Sequence, residues 1–421
     1  MAAAFKGSLV PRFRSTPLEA RYSRFQFLLG YVSVQTTEHY LGCKDSVGGK
    51  RPHRYRAEGV KSRRRHRRNR VGNWERAPGH YRCSHPESPR KYLRMKALVA
   101  GSSGHLGEAM VRTLRQRGEE VVGLDILKSP FTTIVGSVAD RSCVRRSMRG
   151  VQVVFHAATL HKPHLSTHAR QEFIDTNITG TLNLLEEAVD AGVKSFIYTS
   201  TTSVFGDALI PPDGAPAVWI SEDVTPVPKN IYGVTKAAAE DLCQLFHRNQ
   251  KLPCLVLRTS RFFPEEDDNR KVRETYSDAN VKANEFLYRR VDIEDVVSAH
   301  LLAAEHVGAI GFRKYIISST SPFQPEDMAD LRSDAPSVVR KYVPEYEIEY
   351  ARRGWRMFPS ITRVYVNQRA RTELGWRAEY DFRRVIQALK LDEDLRSPLA
   401  RLIGSKGYHA EQFAEGPYPV E

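Results

Sequence analysis

The tightest constraint on this chain lies between Lys96 and Asp125, where an apolar strand, a glycine turn, an amphipathic helix and a second strand ending in an acid follow one another without interruption. Leu98-Val99-Ala100 runs into Gly101-Ser102-Ser103-Gly104-His105-Leu106-Gly107, and Glu108 to Arg117 then sets Met110, Val111 and Leu114 at helical spacing. Glycine is required in such a turn because the backbone must bend sharply and come close to a pyrophosphate, whose charge is stabilised by the N–H groups that open the helix. Glu119 to Leu124 reads as the second strand and ends in Asp125, 18 positions beyond Gly107. A carboxylate there accepts hydrogen bonds from an adenosine ribose and repels a 2′-phosphate. Gly101, Gly104, His105, Leu106, Gly107 and Asp125 are therefore the expected cofactor-binding residues, and NAD is expected in preference to NADP.

A chain of 421 residues, 41% of them hydrophobic, can bury a large core, but its formal charge of +15 also raises polyanion binding. Position decides between these. Residues 1–94 carry 22 Lys and Arg against 6 Asp and Glu, a net of +16, so the remainder stands at −1. The basic front end, with its run from Arg63 to Arg70, has neither helical nor strand periodicity and is expected to be disordered. Three explanations of it stay open: a start codon placed upstream of Met95, an Arg-rich targeting segment, or a polyanion-binding arm. The first is favoured because Met95 immediately precedes the first strand. His80, Cys83 and His85 lack a second half for a metal site, so no metal is expected.

The five cysteines, Cys43, Cys83, Cys143, Cys243 and Cys254, are scattered and form no Cys-x-x-Cys pair, which fits a reducing, cytoplasmic compartment. No apolar run approaches the ~18 residues of a membrane-spanning helix, so no membrane partner is expected.

Tyr-x-x-x-Lys occurs three times, at Tyr40 with Lys44, Tyr92 with Lys96 and Tyr232 with Lys236, so the spacing alone has no value. Only Tyr232 and Lys236 follow the fifth strand and open a helix, after Pro228. On that helix positions i and i+4 share a face, which brings an ammonium near the phenol. A phenol of ordinary pKa ~10 is a poor base, and positive charge beside it favours phenolate. Tyr232 is thus the candidate general acid/base.

In this order the segments resemble the extended short-chain dehydrogenase/reductases, the NAD-dependent epimerase/dehydratase family. Val153 to Ala158 resembles the family's fourth strand, and the resemblance implies that Ala157 and Ala158 pass beneath the cofactor. Asn177-Ile178-Thr179-Gly180-Thr181 resembles its Asn-containing helix start, which places Asn177 at the cofactor. Phe196 to Thr201 resembles the strand carrying the catalytic hydroxyl; counting back five from the glycine of Val204-Phe205-Gly206 selects Thr201, with Ser200 and Thr202 as rivals. Lys236 would hold the nicotinamide ribose. Arg289 to Val297 and Arg369 to Trp376 resemble later family segments. Two departures stand out: Gly136-Ser137 replaces a Gly-Asp pair near the adenine, and no Asn-Pro loop follows the sixth strand, Leu252 to Arg258.

The expected fold is α/β, a Rossmann-type doubly wound parallel sheet with a smaller C-terminal substrate-binding region. The expected division is a basic extension over 1–94, an NAD-binding domain over 95–258 and a substrate region over 259–421, interleaved with the last Rossmann elements and drawing on 207–229, 259–290 and 318–400. The expected reaction is hydride transfer from a secondary alcohol of a sugar or sugar nucleotide, with Thr201, Tyr232 and Lys236 as the catalytic set. Epimerase, dehydrogenase and dehydratase outcomes stay open, as does a homodimer. Arg258, Arg261, Arg289 and Arg290 are candidates for binding a diphosphate, whereas the acids Glu265 to Asp268 would repel one if they lined the same pocket. The rival readings are a dinucleotide-binding regulator without turnover and a polyanion-binding protein that uses the basic arm, the only place where nucleic acid is entertained.

Overall fold

A computed structural model describes residues 95–407 and Phe413. The basic extension, the His80, Cys83 and His85 group and the Tyr40 and Tyr92 pairs lie outside or at the edge of the described residues.

Seven strands form one parallel sheet in the order β3-β2-β1-β4-β5-β7-β8. They are β1 (Lys96–Ala100), β2 (Glu120–Asp125), β3 (Ile134–Val135), β4 (Val153–His156), β5 (Ser195–Thr201), β7 (Cys254–Thr259) and β8 (Phe312–Ile317). The strands are almost continuously apolar because helices cover both faces, and the side-chain period of two sorts each strand between them. Ala97 and Val99 join Leu106, Met110 and Leu114 of α1 (His105–Gln116) on one face. Leu98 and Ala100 face the other side with Leu184 and Leu185 of α2 (Gly180–Asp190) and Ala239 and Cys243 of α3 (Ile231–Gln250). Strand order reverses between β1 and β4, and the crevice beyond the carboxyl ends at such a switch point is where ligands bind in open α/β sheets.

The strand expected over 252–258 runs from Cys254 to Thr259, and a further strand runs from Phe312 to Ile317. β8 lies beyond position 258, so the sheet is completed by the C-terminal third of the chain. A second, two-stranded parallel sheet pairs β6 (Val218–Ile220) with β9 (Arg363–Tyr365) and stitches residues 207–229 to the region after 318. A separate core gathers Phe286 and Leu287 with Phe323, Tyr350 and Phe382 from the region after 318. Among the described residues Cys143, Cys243 and Cys254 are buried free thiols, and no helix is long and apolar enough to cross a membrane.

His300, on α4 (Ile293–Ile310), is fully buried between the sheet and its own helix. Its Nδ1 lies 2.7 Å from the Val296 carbonyl, which can only accept, so Nε2 is left to accept from Thr199 Oγ1 at 2.8 Å. Burial pulls its pKa down from 6.5 to about 4. The unfolded chain then binds a proton that the folded chain refuses, so this contribution is complete above pH 6.5 and is lost as the pH falls toward 4. The slope is at most about 1.4 kcal/mol per pH unit. Urea midpoints measured from pH 7 to 5 should fall in the wild type and fall less steeply in His300→Gln; parallel slopes would contradict this reading.

Candidate active site

The glycine turn shows why each glycine is there. Gly101 adopts φ +87°, and a Cβ on it would meet the Ala158 nitrogen at 2.6 Å. A Cβ on Gly107 would stand 1.8 Å from the Gly101 carbonyl oxygen, so α1 can approach the turn only without a side chain. Gly104 differs: its nearest neighbour would be the same oxygen at 3.4 Å, and its open side faces a cavity of about 570 Å³. That space beside the N–H groups opening α1 fits a dinucleotide diphosphate. At the end of β2, Asp125 accepts from the Ser103 and Leu127 N–H groups, each at 2.9 Å, which fixes its carboxylate at the cavity wall.

The cavity runs from this turn past Ala157 and Ala158 to Thr201, Tyr232 and Lys236. His105, Leu106 and Ser137 also line it, so the position where a Gly-Asp pair was expected still presents a hydroxyl residue to the cavity. Asn177 does not line it. Fully buried, its Oδ1 accepts from the Leu160 N–H and Thr159 Oγ1 (both 2.9 Å), while its Nδ2 donates to the Leu160 carbonyl and to Thr235 Oγ1. It pins the cavity loop to α3 from behind, so it positions that wall and does not form it.

Asn230 caps α3 by accepting from the Gly233 N–H, and the helix then carries Tyr232 and Lys236 on its buried face. Tyr232 is 8% exposed and adjoins the Thr201 hydroxyl. Burial pushes its phenol up to about 12, opposed by Thr201. Lys236 donates from Nζ to the Thr199 carbonyl at 2.6 Å and sits 4.1 Å above the Tyr198 ring. Burial brings its pKa down to about 7, opposed first by Glu240. Burial thus acts on both partners, raising the phenol of Tyr232 and lowering the ammonium of Lys236.

The rival hydroxyls separate by their partners. Ser200 Oγ donates to Glu240 Oε1 at 2.6 Å, away from Tyr232, whereas Thr201 accepts from the Ser203 N–H at 3.1 Å and meets Tyr232.

The four arginines considered for a diphosphate are all held by carboxylates. Arg258, 2% exposed, forks onto Glu240, and Arg290 pairs with Glu285. Arg261 and Arg289 line the cavity, but they pair with Asp267 and Glu285, and Arg261 also reaches Asp268. Of the acids expected to repel a nucleotide, Asp267 and Asp268 are consumed in this network, to which Lys162 adds a bridge to Asp268. Glu265 instead lies with its Oε1 2.9 Å from His105 Nε2. Burial raises its carboxyl, but His105, a backbone N–H and Ser405 together hold it down to about 2.

Sequence reasoning missed several wall residues. His161 and His164 sit beside Tyr232, with the His161 and Tyr232 rings 6.5 Å apart, and burial holds His161 well below its usual range. Leu209, Phe262, Phe263 and Tyr365 also line the cavity, and Lys406 and Gly407 reach it beside the first turn of α1. The spacing of His161, His164 and His168 on one short segment was a usable signal; nothing local marks the others.

Comparison with known proteins places this geometry in context. A profile of the NAD dependent epimerase/dehydratase family matches residues 97–317, just over half of the chain. A UDP-glucose 4-epimerase of Erwinia amylovora is 32% identical over 184 residues, 39% of this chain and 52% of that protein. The chain thus spans about half the length of that relative. A UDP-glucose 4-epimerase of Halalkalibacterium halodurans is 24% identical across 68% of this chain and 91% of its own length. A 3-beta-hydroxysteroid dehydrogenase of Mycolicibacterium neoaurum is 26% identical across 56% of this chain and 68% of its own. Among solved structures, a short-chain dehydrogenase/reductase superfamily protein from Agrobacterium tumefaciens with bound NAD superposes with a TM-score of 0.51 at 22% identity, covering 70% of this chain and 96% of that one, which shows a shared fold.

Proposed function

The chain belongs to the NAD dependent epimerase/dehydratase family, and from that premise we propose that it oxidises a secondary alcohol of a sugar nucleotide with Tyr232 as the acid/base. The observation that carries this reading is the meeting of Thr201, Tyr232 and Lys236 in the cavity that also holds the glycine turn and Asp125. Bound NAD supplies the hydride acceptor and, in its oxidised form, a positive charge that favours phenolate. Thr201 orients the substrate oxygen toward Tyr232. Tyr232 takes the hydroxyl proton at its phenolic oxygen and returns it when the carbonyl is reduced. Lys236, one helical turn away and anchored by the Thr199 carbonyl, would stabilise the phenolate by its charge and hold the nicotinamide ribose of bound NAD.

Asp125 is proposed to select NAD by accepting from the ribose hydroxyls and repelling an added phosphate. Wild-type protein should bind NAD more tightly than NADP, and Asp125→Ala should weaken NAD binding and narrow the gap. Calorimetric titration of both cofactors checks this; tighter NADP binding in the wild type would contradict it.

A second reading, a secondary alcohol on a larger apolar molecule, is favoured by one observation. Arg261 and Arg289 in the cavity wall are already paired with acids, and Phe262, Phe263 and Leu209 line the same cavity. The test is a turnover panel of UDP-sugars, simple sugars and 3β-hydroxysteroids with NAD, following both NADH and epimeric product. Sugar-nucleotide turnover supports the first reading, steroid oxidation alone the second, and absence of any turnover a binding protein.

A further inference from the structure

The chain after the helix Pro398–Ile403 returns to the glycine turn. That helix is fixed by Ile403 in the core beside α1 and by the bond from the Ser397 N–H to Asp292 at 3.1 Å. Beyond it, residues 404–407 close on a single buried carboxylate. Glu265 Oε1 accepts from Ser405 Oγ at 2.9 Å, the Lys406 N–H at 3.2 Å and the Gly407 N–H at 3.3 Å, and His105 Nε2 stands 2.9 Å from the same oxygen. His105 is the first residue of α1, so this hub ties the C-terminal segment to the helix end that faces the diphosphate space. Lys406 lines the cavity there and donates from Nζ to Glu108 in the first turn of α1.

Electrostatics makes this arrangement more than packing. Glu108 and Glu265 are buried carboxylates beside an end of the cavity that must accept a dianion, and each would oppose it if left uncompensated. Glu265 is met by His105 and by backbone donors. Glu108 is met by Arg112 Nε at 2.7 Å and by Lys406. Arg112 comes from the outer side of the helix and does not line the cavity, whereas Lys406 does.

We propose that Lys406 is a cofactor-binding residue, a lysine delivered by the clasp of residues 404–407 on Glu265 and Glu108 to neutralise the diphosphate of the dinucleotide. The proposal rests on NAD being the cofactor. It is tested by calorimetric titration of full-length wild type, Lys406→Met and Lys406→Arg with NAD, ADP-ribose and nicotinamide mononucleotide, together with stopped-flow NADH release. A charge-assisted contact predicts that Lys406→Met weakens NAD and ADP-ribose by roughly 10- to 100-fold and speeds NADH release in proportion. Nicotinamide mononucleotide, which lacks the diphosphate, should change by less than about threefold, and Lys406→Arg should keep most of the wild-type affinity. Lys406→Met binding NAD within about twofold of a wild type that itself binds NAD would overturn the proposal. So would an equal loss for the mononucleotide, which would mark a packing defect. A wild type that binds no NAD would instead remove the premise, and the two failures are distinct.

Discussion

Replacing Tyr232 with Phe should lower turnover by about 10² to 10⁴ while leaving the fold and NAD affinity within twofold of wild type. The change removes one oxygen from a side chain that is 8% exposed, and its ring remains to fill the space. The lost hydroxyl adjoins Thr201, whose bond from the Ser203 N–H is untouched, so β5 should not rearrange. What disappears is the proton carrier between substrate and solvent. Rates measured with any substrate found by the turnover panel, beside a melting curve and a NAD titration, separate chemistry from folding. A Tyr232→Phe enzyme that keeps the wild-type rate would falsify the assignment of the acid/base.

Gly107→Ala is expected to abolish NAD binding. The added Cβ would lie 1.8 Å from the Gly101 oxygen, 2.6 Å from the Gly101 carbonyl carbon and 2.8 Å from the Ser102 Cα. Each of these is backbone, so no side-chain rotation relieves the clash and α1 must move away from the turn. Overpacking of this kind costs typically about 1 to 3 kcal/mol, so the melting temperature should also drop. Gly104→Ala is the control, because its nearest atom stands at 3.4 Å. That variant should fold like the wild type and lose affinity only because its methyl enters the diphosphate space. Calorimetry and thermal melting of both variants check the pair of expectations; Gly107→Ala binding NAD normally would show that the turn is looser than described.

Some of this was readable in the residues because it is written locally. The turn from Gly101 to Gly107, the acid ending β2 and the Tyr232 and Lys236 pair each depend on spacing within one or two elements, where sterics and helical period act directly. Thr201 could have been separated from Ser200 by the alternation of a strand alone: neighbours on β5 point to opposite faces, and Ser200 points at Glu240. Asn177 sits beside the right loop but behind it, a distinction of depth that a motif does not carry. The fate of Arg258 was illegible because its carboxylate partner, Glu240 on α3, meets β7 only in the fold, whereas Arg289 and Arg290 find Glu285 four and five positions back and Arg261 finds Asp267 six positions ahead, pairings that lay within local reach. Lys406 is the extreme case, bonded to Glu108 across 298 positions of chain with no periodicity to announce it. Local spacing marks the cofactor end and the chemistry, whereas the substrate wall is assembled from long-range contacts.

The central claim, that this site moves a hydride under the control of Tyr232, is tested most directly by a single turnover. NAD-loaded enzyme is mixed in a stopped-flow instrument with each UDP-sugar of the panel, and absorbance at the NADH band is followed beside product analysis. The account predicts a rise in that band with at least one sugar nucleotide, transient if the carbonyl is reduced again and lasting if NADH is the product, and its near-absence in Tyr232→Phe. Product formed with no NADH signal, or the same rise in Tyr232→Phe at the wild-type rate, would contradict it.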